Sequence, residues 1–314
     1  MLKIVLAGLA VLLLTVVLGV AAWAWAPDRS RAELEVLYLD APTDMVEIEG
    51  VRLHVRDDGP RDAPVVLMLH GLGSSLHTWE PWAQALSGEF RVIRIDLPGA
   101  GLSPPDPTGD YTDARTLALL VALQDRLGVS RWSVVGNSIG GRIAWTFAAA
   151  HPDRVQRLVL ISPDGFASPG FDYGKAPDVP PMLGLMRTFL PRELLRSNIA
   201  VGYADPERLT GPTLTRYHDL MRAPGGRAAL IARMEQTVLQ PPEPRLRTLT
   251  APVLLLWGEK DAMIPFANAR DYLRVLPDAR LVALPTLGHL PMEEDPAGSL
   301  PPVRAFLSGA SDGD

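Results

Sequence analysis

A serine stands among glycines at Gly136-Asn137-Ser138-Ile139-Gly140, with an apolar run before it and a helix-forming run after it. Arg131-Trp132-Ser133-Val134-Val135 reads as a short buried strand. Gly141-Arg142-Ile143-Ala144-Trp145-Thr146-Phe147-Ala148 reads as an amphipathic helix with small residues on its inner face. A serine at such a junction sits on a tight, strained turn, a nucleophile elbow, which lifts the hydroxyl above the sheet edge. Glycines let the backbone fold sharply there and let strand and helix pack with no Cβ between them. A hydroxyl becomes an effective nucleophile only with a base, an orienter for that base, and donors for the oxyanion.

The chain offers all three, in the order Ser, Asp, His. An apolar strand over residues 252–257 runs into Gly258-Glu259-Lys260-Asp261. Asp261 therefore falls on a loop at the sheet edge, where open α/β sheets bind ligands. After a further strand at residues 280–284 comes Leu287-Gly288-His289. In this arrangement His289 takes the proton of Ser138 and returns it to the leaving group, while Asp261 holds the ring in its working tautomer. Upstream, the strand Val65–Leu69 runs into His70-Gly71-Leu72-Gly73. The backbone N–H groups of Leu72 and Ile139 are the expected oxyanion donors.

Plainer roles compete at several positions. Asp261 is suited to capping the helix expected from Phe266. Glu259 is expected to face solvent, and His70 to bond backbone inside the oxyanion loop. Asn137 has two open readings: it stabilises the turn, or it touches substrate. His54, His77, His151 and His218 lack metal-ligand spacing and are read as packing or surface residues, so no metal site is expected.

On these residues the chain resembles serine hydrolases of the α/β-hydrolase fold over residues 45–307. The resemblance rests on His70-Gly71-Leu72-Gly73, Asp96-Leu97-Pro98-Gly99-Ala100-Gly101-Leu102-Ser103, the elbow, Trp257-Gly258-Glu259-Lys260-Asp261, and Gly288-His289 with Glu293 and Pro296 behind it. The strand pattern agrees. A hairpin around Glu49-Gly50 is followed by strands alternating with helices, including 79–86, 113–127, 139–150, 266–275 and 296–307. Such alternation implies an α/β architecture: a mostly parallel sheet covered by helices on both faces. The beat breaks over residues 164–250, where this family places a helical cap before the strand bearing the catalytic Asp. The expected organisation is an N-terminal anchor or signal segment at 1–26, a linker at 27–44, core at 45–163, cap at 164–250 and core again at 251–310.

Residues 4–26 are apolar or small except Thr15, with Lys3 before them and Asp28-Arg29-Ser30-Arg31 after. As a helix they span about 34 Å, enough for a bilayer core. Trp23 and Trp25 stand at the outer end, where aromatic residues favour the interface. A cleaved signal peptide is the rival, since Ala24-x-Ala26 resembles a cleavage site, although Pro27 hinders cutting there. The favoured reading is an uncleaved inner-membrane anchor with the catalytic domain outside the cytoplasm; the alternative is a secreted or periplasmic protein.

A formal charge of −6 argues against nucleic acid as a partner. The chain has no cysteine, so disulfides and thiolate-held metals are excluded. The resemblance implies no cofactor. Its leading implication is hydrolysis of carboxylic esters of apolar acyl or aryl substrates through an acyl-enzyme on Ser138. A second is carbon–carbon bond hydrolysis of the aromatic meta-cleavage type, whose members share the Gly-Asn-Ser-x-Gly-Gly elbow, although many carry Trp after the catalytic His where this chain has Leu290. A third is a tethered, non-catalytic binding protein. Within the cap, Met182, Met186 and Phe189 are candidates for the substrate pocket, or else pack the cap onto the core. The run Ala229-Leu230-Ile231-Ala232-Arg233-Met234 is read as cap packing.

Overall fold

The computed structural model describes residues 1–167 and 172–309. Its chain begins with helix α1, Leu2–Ala24, followed by α2, Arg31–Tyr38. Then come strands β1 Met45–Ile48, β2 Val51–Asp58, β3 Val65–Leu69, β4 Arg91–Ile95, β5 Trp132–Asn137, β6 Val155–Ile161, β7 Val253–Gly258 and β8 Ala279–Leu284. They form one sheet in the order β1-β2-β4-β3-β5-β6-β7-β8. The β1–β2 hairpin and its edge against β4 are antiparallel, and all other pairings are parallel. The hairpin turns on Glu49 and Gly50, both left-handed with φ of 47° and 78°, as a two-residue turn requires.

The strands read as unbroken apolar runs because both faces are covered. Leu67 and Leu69 of β3, with Leu255 and Trp257 of β7, enter one apolar cluster. Val66 and Met68, with Leu254 and Leu256, enter the other. Between the strands lie α3 Glu80–Leu86, α4 Asp113–Arg126 and α5 Ile139–Ala150. The cap follows as a 3-10 turn, Pro181–Arg187, with α6 Arg192–Ala200, α7 Gly211–Leu220, α8 Gly226–Gln236 and α9 Glu243–Leu246. The core closes with α10 Asn268–Val275, α11 Pro291–Glu294 and α12 Pro296–Ser308. Helices α4, α5 and α10 contribute to the first cluster, and α3 and α12 to the second. Each fully buried aliphatic side chain stabilises the fold by about 1.5–3 kcal/mol, so the two clusters make the sheet a rigid platform for the loops at its edge.

The expected linker at 27–44 is corrected by the structure. Ser30 and Glu33 form a reciprocal capping box that starts α2. Leu34 is buried with Leu102 of the core and Leu220 and Ala223 of the cap. This Ser-x-x-Glu signal is present in the sequence; its short apolar stripe is what conceals the helix. The segment emerging from α1 is also sewn to the cap. Ala26 N–H donates to Thr188 O and Leu190 N–H to Ala24 O, both at 3.0 Å. Trp25 and Phe189 pack edge-on, their ring centroids 6.0 Å apart. Large apolar side chains along α1, from Leu2 to Val20, are exposed.

Candidate active site

The elbow is built by close packing of glycine. A Cβ on Gly140 would lie 2.3 Å from Leu69 O at the end of β3, so no other residue fits between α5 and that strand. Ser138 takes φ 56° and ψ −121°, a strained conformation for a residue with a side chain. The strain is held from both sides: its N–H donates to Ile161 O at 3.1 Å, and its carbonyl accepts from Arg142 and Asp164 N–H.

Asp261 and His289 meet at the same sheet edge. The Nδ1 of His289 lies 2.7 Å from Oδ2 of Asp261, and both residues are buried. The other oxygen, Oδ1, accepts from Met263 and Ile264 N–H at 2.8 Å each. Asp261 thus closes its own turn and faces the imidazole at once, and α10 starts later than expected, at Asn268. Burial pushes its carboxyl up, but the bond and charge of His289 and the Ile264 N–H outweigh this and hold it below the usual carboxylate range. Glu259 is exposed. The His289 loop is pinned by its own N–H on Gly202 O at 2.8 Å and by Gly288 N–H on Glu294 Oε2 at 2.8 Å.

Asn137 falls on the structural side of its two readings. It is fully buried, and its amide donates to Ile161 O at 3.2 Å and to His289 O at 3.0 Å. It ties the elbow to the histidine loop and offers no face to a substrate. His70 accepts from Leu97 N–H through Nε2 at 3.0 Å, so Nδ1 donates to Gly71 O at 2.8 Å, fixing the oxyanion loop. A cavity of about 40 Å³ lies beside this loop, and both Leu72 and Ile139 border it. Among the described residues neither of their N–H groups is engaged by another backbone carbonyl. Two unengaged backbone N–H groups bordering one cavity suit the stabilisation of an oxyanion.

The cap residues expected in the pocket are displaced from it. Met182 is 72% exposed, Met186 packs against the Ala26–Leu190 cluster, and Phe189 covers Trp25. None of the three borders the cavity. Their segment follows α1 out of its last turn and is spent on that seam. Instead α7 and α8 supply the cavity wall through Tyr217, Leu220, Ala229, Leu230 and Arg233. The run 229–234, read as cap packing, is therefore lining as well. The signal that could have found it is a lone arginine inside an apolar stretch. Tyr217 also joins the cap to the site, its hydroxyl 3.2 Å from Ser74 Oγ and 3.3 Å from both carboxylate oxygens of Glu293.

Behind the oxyanion loop, Asp96 accepts from Leu76 N–H at 2.7 Å and Leu102 N–H at 2.8 Å, and faces His54 Nδ1 at 2.7 Å. Burial alone would raise this carboxyl; the facing His54, with His77 and His70, holds it down to about 2. His77 is half-buried beside them with Nε2 3.2 Å from Tyr38 O, and desolvation pushes it down to about 4. An unfolded imidazole takes its proton near 6.5. Between those values the unfolded state binds more protons, so this contribution to stability is full above pH 6.5 and falls as pH drops toward 4. The difference corresponds to about 3 kcal/mol. His77→Gln is therefore expected to flatten the fall in melting temperature between pH 6.5 and 4 by roughly 5 °C, read by calorimetry. An unchanged slope would remove His77 from the acid response. Among the described residues no group of three or more His, Asp or Glu is placed to hold a metal ion.

Comparison with known proteins agrees with this geometry. A family model described as the alpha/beta hydrolase fold matches residues 64–296. The chain is 32% identical over 260 residues to pimeloyl-[acyl-carrier protein] methyl ester esterase of Nitrosomonas europaea, covering 76% of this chain and 93% of that one. It is 27% identical over 254 residues to 2-hydroxy-6-oxo-6-phenylhexa-2,4-dienoate hydrolase of Burkholderia cepacia, covering 77% and 86%. Among solved structures it is similar to a bacterial membrane phospholipase A, with a TM-score of 0.73, 26% identity and 99% of each chain covered.

Proposed function

Because the chain belongs to the α/β-hydrolase fold family, we propose that it is a membrane-anchored serine hydrolase cleaving carboxylic esters of apolar acyl or aryl substrates. The observation that carries this reading is the buried Asp261–His289 pair at the sheet edge that holds the strained Ser138, beside the free N–H groups of Leu72 and Ile139. Ser138 Oγ attacks the ester carbonyl as His289 takes its proton. The oxyanion rests on the two N–H groups, and the proton passes to the departing alcohol. Water, deprotonated by His289, then attacks the acyl-enzyme and frees the acid. No step calls for a cofactor.

The anchor reading is supported by the exposed apolar length of α1 and by the similarity of the whole chain to a membrane phospholipase A. The seam to the cap also favours an uncleaved segment. Cutting after Ala26 would remove a buried residue and both backbone bonds to the 188–190 stretch. In this reading the catalytic domain lies outside the cytoplasm.

The test is turnover of short and long nitrophenyl esters by the full chain in detergent micelles. Hydrolysis with saturable kinetics is expected, with kcat in the ordinary enzymatic range of about 1–10³ s⁻¹. If the folded protein turns over no ester, the weight moves to carbon–carbon hydrolysis. That second reading draws on the Gly136–Gly141 sequence and on the similarity to the Burkholderia cepacia hydrolase.

A further inference from the structure

Among the described residues the buried arginines are paired with carboxylates, with one exception at the cavity. Arg94 bridges Asp58 and Glu80 at 2.6 Å each, and Arg142 bridges Asp113 and Asp164. Arg91 meets Asp57 at 2.8 Å, and Arg227 meets Asp28 at 2.5 Å. Such pairing is what physics demands, since an uncompensated charge removed from water costs several kcal/mol. Arg233 of α8 is 6% exposed, yet among the described residues it forms no ion pair. Its two bonds are long and go to neutral carbonyls: Nη1 to Tyr111 O at 3.4 Å and Nη2 to Pro98 O at 3.2 Å. The Tyr111 ring lies 5.4 Å from its guanidinium carbon.

The carboxylates whose field reaches it are already committed, Asp113 to Arg142 and Asp106 to Arg115. Desolvation accordingly pushes the guanidinium down to about 10. A guanidinium carries five N–H donors, so most of its capacity is unspent. It borders the same cavity as Leu72 and Ile139. That cavity of about 40 Å³ admits roughly three waters, or one small polar group.

We infer that Arg233 forms an anion subsite in the cavity beside the 70–75 loop, which Ile139 next to Ser138 also borders, so that the ester this enzyme takes carries a carboxylate remote from its scissile carbonyl. Leu97, Ile139, Leu220 and Leu230 form the apolar part of a lining that also holds Ser74, Tyr217 and the Asp28-paired Arg227, and they suit the apolar chain between the two groups. A planar guanidinium matches a carboxylate with two parallel N–H bonds, and the substrate supplies the charge that the fold omits. Selection follows from the same balance, because a neutral chain end would leave the buried cation as it stands in the free enzyme.

This rests on the ester reading above, and the experiment separates the two. The full chain is assayed on monomethyl succinate, glutarate and adipate, each beside the neutral methyl ester of equal chain length. At least one half-ester is expected to exceed its neutral counterpart at least tenfold in kcat/KM. Arg233→Gln is expected to lower that ratio at least tenfold, and Arg233→Lys to restore part of it. Neutral esters preferred at every length, or a ratio unchanged in Arg233→Gln, overturns the subsite. If no ester is turned over, protection of Ser138 from a fluorophosphonate probe by free glutarate decides. Protection in the parent that is weakened at least tenfold in Arg233→Gln and partly restored in Arg233→Lys upholds the subsite without the ester reading; absence of protection overturns both.

Discussion

Ser138→Ala is expected to lower kcat for ester hydrolysis by at least about 10⁴-fold in the full chain. Covalent labelling by a fluorophosphonate is expected to disappear with it. Only Oγ is removed, while the Cβ and the backbone bonds that hold φ at 56° remain. The melting temperature should therefore stay within about 3 °C of the parent. The Asp261–His289 pair and the two oxyanion N–H groups are untouched. They account for whatever residual rate above solvent hydrolysis survives. Loss of activity together with folding would say nothing about the nucleophile, which is why both are measured on one sample. Labelling that persists in the variant places the nucleophile elsewhere and ends this mechanism.

The second large effect belongs to the orienter. Asp261→Asn is expected to reduce kcat by about 10⁴-fold while the fold survives. The amide keeps an acceptor for Met263 and Ile264 N–H, so the turn that carries the residue stays closed. What is lost is the carboxylate oxygen 2.7 Å from His289 Nδ1, which fixes the tautomer and stabilises the imidazolium formed in the transition state. Stability adds an independent readout. The Asp261 carboxyl is held below its ordinary value in the folded protein, so its contribution is present above the unfolded pKa and is lost as pH falls through the folded one. The gap in melting temperature between parent and variant should therefore narrow toward acid pH. A loss smaller than tenfold in kcat would show that another group orients His289.

The motif-bearing core was legible because its requirements are local. Gly140 must be glycine for a strand and helix to approach within contact of Leu69 O, and the G-x-S-x-G spelling records that constraint. The strands were legible because two-sided burial needs unbroken apolar runs, as β3 and β7 supply. Residues 27–44 were misread as a linker because α2 has eight residues and buries chiefly Leu34, too little for a periodic pattern to stand out. Met182, Met186 and Phe189 had two open readings, pocket or cap packing, because apolar character does not say which surface a segment covers. Here it covers the chain leaving α1.

The sequence by itself determined the fold family and the sheet with its two covered faces. These follow from backbone sterics, two-sided burial and residue type, all of which act over a few positions. Only the tertiary structure decided that Asn137 is a brace between the elbow and the histidine loop, that the segment after α1 is part of the cap, and that Arg233 stands unpaired at the cavity among the described residues. Each of those depends on contacts between residues far apart in the chain: Asn137 with His289, Ala26 with Thr188, Arg233 with Pro98. A charge buried without its partner is a property of the whole arrangement, because it is defined by which carboxylates have already been claimed elsewhere.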